Sequence, residues 1–274
     1  MILTGAELSK AIKDEVKKKV NSLKAEGITP ALRCVVSSDD KSTEVYLNSI
    51  KRNCEKVGID FAKILTDEKR IIEDVKALNV DPKISGVMIM HPVPKGVDEI
   101  AVLETLNPLK DVEGRTPQNL GKVLLGVESF TPCTAQAVME LLKYYKVDLK
   151  GANVTIVGRS TTVGKPLALM MLSEHATVTV CHSKTRDLKE KTKSADVLIA
   201  AVGRARMFDA DWIKEGAVVI DVGINVVDGK VVGDVDFDSV SKKASVSKVP
   251  GGVGSVTSAI LMRNVVEASL LNRR

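Results

Sequence analysis

The chain has 274 residues, of which 44% are hydrophobic, 27% charged and only 3% aromatic. That length suggests about two domains, and the balance is that of a soluble globular protein whose core must be filled by Val, Ile, Leu and Ala. The net charge of +5 is dispersed along the chain; with few stacking aromatics and no RNA-binding or zinc-finger signature, it argues against a nucleic-acid partner and suits an anionic substrate or cofactor.

Residues 6–26 carry Leu8, Ile12, Val16, Val20 and Leu23 at spacings of three and four, an amphipathic helix. Lys17-Lys18-Lys19 lies on its solvated face. Gly27 and Pro30 end the helix. Ala31–Val36 reads as a strand, Ser37-Ser38-Asp39-Asp40 as a turn offering N-caps, and 42–57 as a helix closed by Gly58. Phe61–Leu65 and Gly86–Met90 are the next strands, separated by a helix at 68–78. His91-Pro92-Val93-Pro94 cannot continue a central strand, because proline lacks a donor. A helix at about 97–106 and a polar turn at Lys110-Asp111-Val112-Glu113-Gly114 follow. Strands alternating with helices imply α/β architecture with a mostly parallel sheet.

A helix from Thr134 to about Tyr145 leads into Val154-Thr155-Ile156-Val157-Gly158-Arg159-Ser160-Thr161-Thr162-Val163-Gly164-Lys165-Pro166, and then into an apolar helix. Strand, polar turn and helix offer backbone N–H groups to a phosphate. The fingerprint G-x-G-x-x-G is half matched: Ser160 replaces the second glycine and Gly164 comes one residue late. Strands follow at Val178–Cys181, Val197–Val202 and Val218–Val222. Val226–Val232 reads as a hairpin with an Asp-Gly turn, Val249–Gly254 as a glycine-rich loop, and 257–271 as a closing helix.

In a dinucleotide-binding fold the second strand ends at the adenosine ribose, where NAD-specific proteins usually place an acid. Here the strand ends Cys181-His182-Ser183-Lys184-Thr185-Arg186, with no acid before Asp187. Ser183 and Arg159 suit a 2′-phosphate, so NADP is expected over NAD. His182 reads equally as a cofactor neighbour or an oriented loop residue, and His175 as a surface or capping residue. The four cysteines, Cys34, Cys54, Cys133 and Cys181, show no metal or redox spacing; reduced thiols and no metal site are expected. No signal sequence is visible and no apolar run is long enough to span a bilayer, so a cytoplasmic protein without a membrane partner is expected.

Gly158-Arg159-Ser160, Val163-Gly164-Lys165-Pro166, Ala176–Thr179, Cys181–Thr185, Asp221-Val222-Gly223-Ile224-Asn225, Val232-Gly233-Asp234-Val235 and Val249–Gly254 resemble the bifunctional methylenetetrahydrofolate dehydrogenases/methenyltetrahydrofolate cyclohydrolases. Lys110-Asp111-Val112 and Pro132-Cys133-Thr134 lie in the order of that family, so the resemblance covers essentially the whole chain. It implies two α/β domains with a cleft between them: a folate and catalytic domain over 1–135, on which the final helix, 257–274, packs back, and a Rossmann-type NADP-binding domain over 136–256. It implies a homodimer and a folate substrate. The implied reactions are NADP-dependent oxidation of 5,10-methylenetetrahydrofolate and hydrolysis of the methenyl product to 10-formyltetrahydrofolate. Gly158, Arg159, Ser160, Ser183 and Ile224 fall at nucleotide positions, Tyr46 at that of the folate-stacking tyrosine, and Pro250 and Gly251 in the folate-side loop.

The first domain departs from the family pattern at three positions. The proton-transferring lysine, four residues after the tyrosine, is here Ile50, with Lys51 next. Each helical residue turns by about 100°, so five steps leave Lys51 roughly 140° from Tyr46. The glutamine ending the third strand is Met90, whose neighbour His91 offers a polar group, and the pterin-anchoring aspartate is Glu113. Hydride transfer needs mainly positioning, whereas hydrolysis also needs a placed acid/base. A competent dehydrogenase is therefore expected, with a cyclohydrolase weakened, absent, or run by Lys51 or His91. Tyr46, Lys51 and Glu113 are the catalytic candidates, and Tyr46, Met90, His91, Glu113, Pro250 and Gly251 the substrate contacts. The other readings are a dehydrogenase for a modified pterin carrier and a non-catalytic nucleotide-binding homologue.

Overall fold

The structure is a computed structural model. It describes residues 1–37 and 41–272, without the side chains of Lys41 and Ser42. Apart from Ser37, the turn expected at 37–40 lies outside the described residues, as do the last two positions of the closing helix.

In chain order the elements are β1 (Ile2–Leu3), α1 (Ala6–Ala25), β2 (Ala31–Val36), α2 (Lys41–Val57), β3 (Asp60–Leu65), α3 (Ile71–Val80), β4 (Gly86–Ile89), α4 (Glu99–Thr105), α5 (Pro117–Leu125) and α6 (Cys133–Tyr144). They continue with β5 (Asn153–Val157), α7 (Gly164–Ser173), β6 (Thr177–Cys181), α8 (Leu188–Lys193), β7 (Val197–Ala200), a 3-10 turn at Ala210–Trp212, β8 (Val218–Asp221), β9 (Asn225–Val227), β10 (Lys230–Val232), α9 (Phe237–Val240), β11 (Ser245–Ser247) and α10 (Val253–Leu271). These fall into two compact units, one of Lys10–Lys122, Glu128–Thr131 and Ser258–Arg274, the other of Met1–Ser9, Val123–Val127 and Pro132–Thr257.

The unit containing β2–β4 is built on a parallel sheet in the order β3-β2-β4. All four residues of β4 are buried, as a parallel strand covered on both faces requires. One core cluster joins Val35, Val87 and Ile89 to Ile71 and Val75 of α3 and Val102 and Leu103 of α4. Burial of each such side chain contributes about 1.5–3 kcal/mol before entropy is counted. Helix α2 turns Leu47, Ile50, Cys54 and Val57 inward. Gly58, at φ +85, ends it, with the N–H groups of Gly58 and Ile59 both donating to Cys54 O, at 2.9 and 3.0 Å. The carboxyl-terminal part of α10 belongs to this unit, where Asn264 Nδ2 donates to Val112 O at 2.8 Å.

The other unit is a six-stranded sheet in the order β1-β11-β8-β7-β5-β6, parallel at every pairing. Residues 1–9 therefore group with the second half of the chain, not with 10–135 as expected: Ile2 and Leu3 add a strand beside Val246 and Ser247. The Val226–Val232 expectation is met by β9 and β10, antiparallel around Asp228 and Gly229. Both turn residues have positive φ, 51° and 73°, the geometry that favours Asp-Gly.

Candidate active site

Each unit presents part of the expected site. In the unit of β2–β4, Val87 pairs with Asp111 in parallel, and Val87 N donates to Lys110 O at 2.7 Å. Gly86 permits this approach, since a Cβ there would lie 2.4 Å from Val112 Cγ1. The buried Lys110 ammonium donates to Leu78 O and Asp81 O at 2.9 and 2.7 Å, closing the carboxyl end of α3. The buried Asp111 carboxylate accepts Thr116 N and Asn119 Nδ2 at 2.7 and 2.9 Å. Lys110 and Asp111 are thus framework, and they carry Glu113 to the end of β4. Gly114, at φ +68, packs so closely on Phe130 and Thr131 that a Cβ would come within 2.4 Å of Thr131 C.

Glu113 keeps 20% of its side chain exposed. Burial pushes its carboxyl up to about 7, against the opposing pull of Arg115, with Asp111 raising it further. Arg115 Nη1 lies 3.7 Å from Glu113 Oε2 and donates to Ile89 O at 3.0 Å. Its Nη2 donates to Glu99 Oε1, and His91 Nδ1 lies 3.2 Å from the same oxygen. Asp98 caps α4 by accepting Ile100 N, which fixes the first turn that carries Glu99. His91 is exposed and Met90 half-buried, with Met90 N donating to Val35 O at 2.9 Å.

Tyr46 lies on the outer side of α2 with 47% of its surface exposed, which is not the environment of a helix-core aromatic. Ile50, by contrast, is 4% exposed. Helix α2 is continuous through this stretch, so Lys51 is not swung back toward Tyr46. It is exposed, with its Nζ 3.9 Å from Glu55 Oε1 one turn on. The structure thus gathers Glu113, His91, Glu99 and Arg115 into one charged network and leaves Lys51 outside it. Arg115 and Glu99 were not visible as site residues in the sequence; their spacing of 16 matches no motif, and only the fold joins them.

In the other unit β5 ends at Gly158, whose φ of +139 disfavours a side chain and whose Cβ, were there one, would lie 2.3 Å from Ala201 O. A Cβ on Gly164 would meet Gly158 O at 2.1 Å, so the late glycine is what lets α7 begin directly against the turn. Between them Arg159 and Ser160 are exposed, and Ser160 Oγ accepts Val163 N at 3.1 Å. After β6 the segment 182–185 closes on itself through Thr185 N to His182 O, 2.8 Å, and His182 N to Thr185 Oγ1, 2.8 Å. Ser183 is exposed at its tip. His182 Nδ1 accepts Lys184 N at 3.1 Å, which makes this histidine an oriented loop residue.

Two buried carboxylates tie the remaining strand ends together. Asp221 accepts the N–H groups of Gly223, Asp234 and Val235, each at 2.9 Å. Asp234 accepts those of Val202, Gly203 and Arg204 at 2.6, 3.0 and 2.8 Å, and Asn225 Nδ2 at 3.0 Å. Between these anchors Ile224 stands 70% exposed. Pro250 and Gly251 are exposed, and Gly251 O accepts Gly5 N at 2.8 Å. The turn, the acid-free loop after β6 and the anchored strand ends fit a phosphorylated dinucleotide: exposed cationic and hydroxyl groups, glycines where a Cβ would collide, and no carboxylate at 182–186.

Comparison with known proteins agrees with both halves. The family model of the tetrahydrofolate dehydrogenase/cyclohydrolase catalytic domain matches residues 3–113, and that of the NAD(P)-binding domain matches 132–273. The bifunctional protein FolD of Nautilia profundicola is 44% identical over 98% of this chain and 96% of its own. The crystal structure of the Campylobacter jejuni bifunctional enzyme FolD is 40% identical, with a TM-score of 0.96 over 100% of this chain and 99% of its own. The Trypanosoma brucei methylenetetrahydrofolate dehydrogenase-cyclohydrolase, complexed with NADP cofactor and inhibitor, is 30% identical, with a TM-score of 0.95 over 100% and 98%.

Proposed function

We propose, from the premise that this chain belongs to the tetrahydrofolate dehydrogenase/cyclohydrolase family, how its own residues serve the two reactions of that family. The chain is an NADP-dependent methylenetetrahydrofolate dehydrogenase and methenyltetrahydrofolate cyclohydrolase. The observation that carries this is the presence of both domains, in order, along nearly the full length of bifunctional relatives. A modified-pterin dehydrogenase and a non-catalytic homologue are not favoured by those matches.

Gly158, Arg159, Ser160, Ser183 and Ile224 are the residues we assign to the cofactor. When bound, NADP supplies the hydride acceptor for the one-carbon unit. Arg159 and Ser183 would bind the 2′-phosphate through charge-assisted bonds, and Asp221 and Asp234 would hold the strand ends in place. Tyr46, Met90, His91 and Glu113 are assigned to the folate, with Pro250 and Gly251 contributing a loop. We assign the folate to the unit that contains residues 10–122 and the nucleotide to residues 136–256.

For hydrolysis the geometry favours Glu113 over Lys51. A carboxyl held up to about 7 by burial is suited to both accept and return a proton near neutrality. Water adds its oxygen to the methenyl carbon as one of its protons passes to Glu113. The C–N5 bond then breaks with its electron pair going to N5, which takes that proton, and the carbinol hydroxyl proton leaves to solvent as the formyl group forms. A homodimer is part of the same reading: among the described residues β6 is an edge strand, exposed along much of its length, and an edge strand is a template for pairing with a second copy. A cytoplasmic location belongs to it as well; among the described residues no helix is long and apolar enough to cross a membrane.

The test is an assay of both half-reactions on purified protein. NADPH should form from 5,10-methylenetetrahydrofolate and NADP, and methenyltetrahydrofolate should disappear faster than in buffer. Absence of NADPH formation would overturn the assignment.

A further inference from the structure

The family position occupied by Glu113 does not account for the three side chains networked with it, Arg115 directly and Glu99 and His91 through that arginine. Arg115 is only 12% exposed and faces two carboxylates at once. Nη2 is committed to Glu99, while Nη1 is shared between Ile89 O and the more distant Glu113. A guanidinium presents donors in a fixed fork, so closer engagement of one carboxylate weakens its hold on the other. The Glu99 oxygen that takes Arg115 also faces His91 Nδ1, on the exposed side of the network.

We propose that Arg115 is a positioning residue divided between Glu113 and Glu99, and that the His91–Glu99 pair sets how much of its charge reaches Glu113. This rests on the reading of Glu113 as the acid/base of the hydrolytic step. Among the described residues, the groups facing Glu113 are Arg115, the buried Asp111, the backbone of Ile89 and the thiol of Cys34; those facing Glu99 are Arg115 and His91. Among them, Glu99 is the acidic competitor for the arginine. With Glu99 charged, Arg115 is drawn away and Glu113 holds its proton to higher pH. His91, with Nδ1 3.2 Å from the same Glu99 oxygen, competes for it, returns part of Arg115 to Glu113, and lets that carboxyl ionise earlier. The arrangement couples an exposed imidazole to a half-buried carboxyl through one guanidinium, which itself transfers no proton.

The direct test is a carbon-13 titration of the Glu113 carboxyl in the full-length protein, assigned by its disappearance in Glu113→Gln. Glu99→Gln removes the competitor and should lower the midpoint by about one pH unit, the effect of an opposite charge brought close. Arg115→Gln should raise it by a similar amount, Arg115→Lys should leave it nearer the wild type, and His91→Gln should raise it slightly. Loss of packing alone would not move the first two variants in opposite directions. Unchanged midpoints, or shifts of the same sign in Glu99→Gln and Arg115→Gln, would overturn the proposal. The rate of methenyltetrahydrofolate hydrolysis in Glu113→Gln separates the two readings. If Glu113→Gln hydrolyses at the wild-type rate while the midpoints move as stated, Glu113 is not the acid/base, yet Arg115 is still divided as proposed. If Glu113→Gln is slow but the midpoints do not move, the division fails and the catalytic role stands.

Discussion

Ile50 lies one helical turn beyond Tyr46, yet it is 4% exposed where the tyrosine is 47% exposed. The helix therefore offers an aromatic ring outward at one position and an apolar core contact at the next equivalent one. Ile50→Val should cost about 0.5–1.5 kcal/mol of stability and leave both half-reactions within about twofold, since the isoleucine has no chemistry to lose. Denaturant melts and parallel assays check this; a selective fall in hydrolysis would contradict the purely structural role.

Lys51 is exposed and leans toward Glu55. An exposed pair of this kind contributes about 0–1 kcal/mol. Lys51→Ala is expected to change neither half-reaction by more than about twofold, against the 10²–10⁴-fold that a lost acid/base typically costs. A large loss of hydrolysis would return the proton-transfer role to this lysine.

The cofactor preference is carried by Arg159 and Ser183. Removing one charge-assisted contact typically costs about 1.5–3 kcal/mol, or roughly 10- to 150-fold in affinity. Arg159→Ala should weaken NADP by that order and NAD by much less, while Ser183→Asp should favour NAD by repelling the 2′-phosphate. Calorimetric titration with both nucleotides reads the difference; equal losses for the two would remove the 2′-phosphate from this site.

Burial pushes Asp221 up to about 6 against the pull of the backbone donors of Asp234, Val235 and Gly223, from an ordinary aspartate value near 3.9. Between those values the folded chain holds a proton that the unfolded chain has lost. This carboxyl's contribution to stability is present below about pH 4 and is lost as pH rises through about 6. The gap between wild type and Asp221→Asn in denaturant melts should therefore narrow from about pH 4 to about pH 7. A gap that widens with pH would reverse the sign.

Much of this was legible along the chain. Gly158 and Gly164 marked the βα turn, Asp228-Gly229 the hairpin, and Gly58 the end of α2. Helix α5 was missed because Gly121 interrupts its pattern just after a polar turn. Strand β1 was missed because two residues have no periodicity and their partner, Val246, is remote in sequence. The Asp221 and Asp234 anchors could be quoted as motif letters, but their seven acceptor contacts became visible only once the strand ends were side by side. The Arg115 network likewise depends on β4, α4 and the 111–115 turn meeting.

Glu113, and no lysine, is assigned the proton of the hydrolytic step, and single-turnover measurement of both half-reactions in Glu113→Gln tests this most directly. Folate is expected to bind more weakly in both reactions, hydride transfer at saturation to stay within about tenfold, and hydrolysis to fall by about 10²–10⁴-fold. Hydrolysis at the wild-type rate with hydride transfer abolished would contradict the assignment.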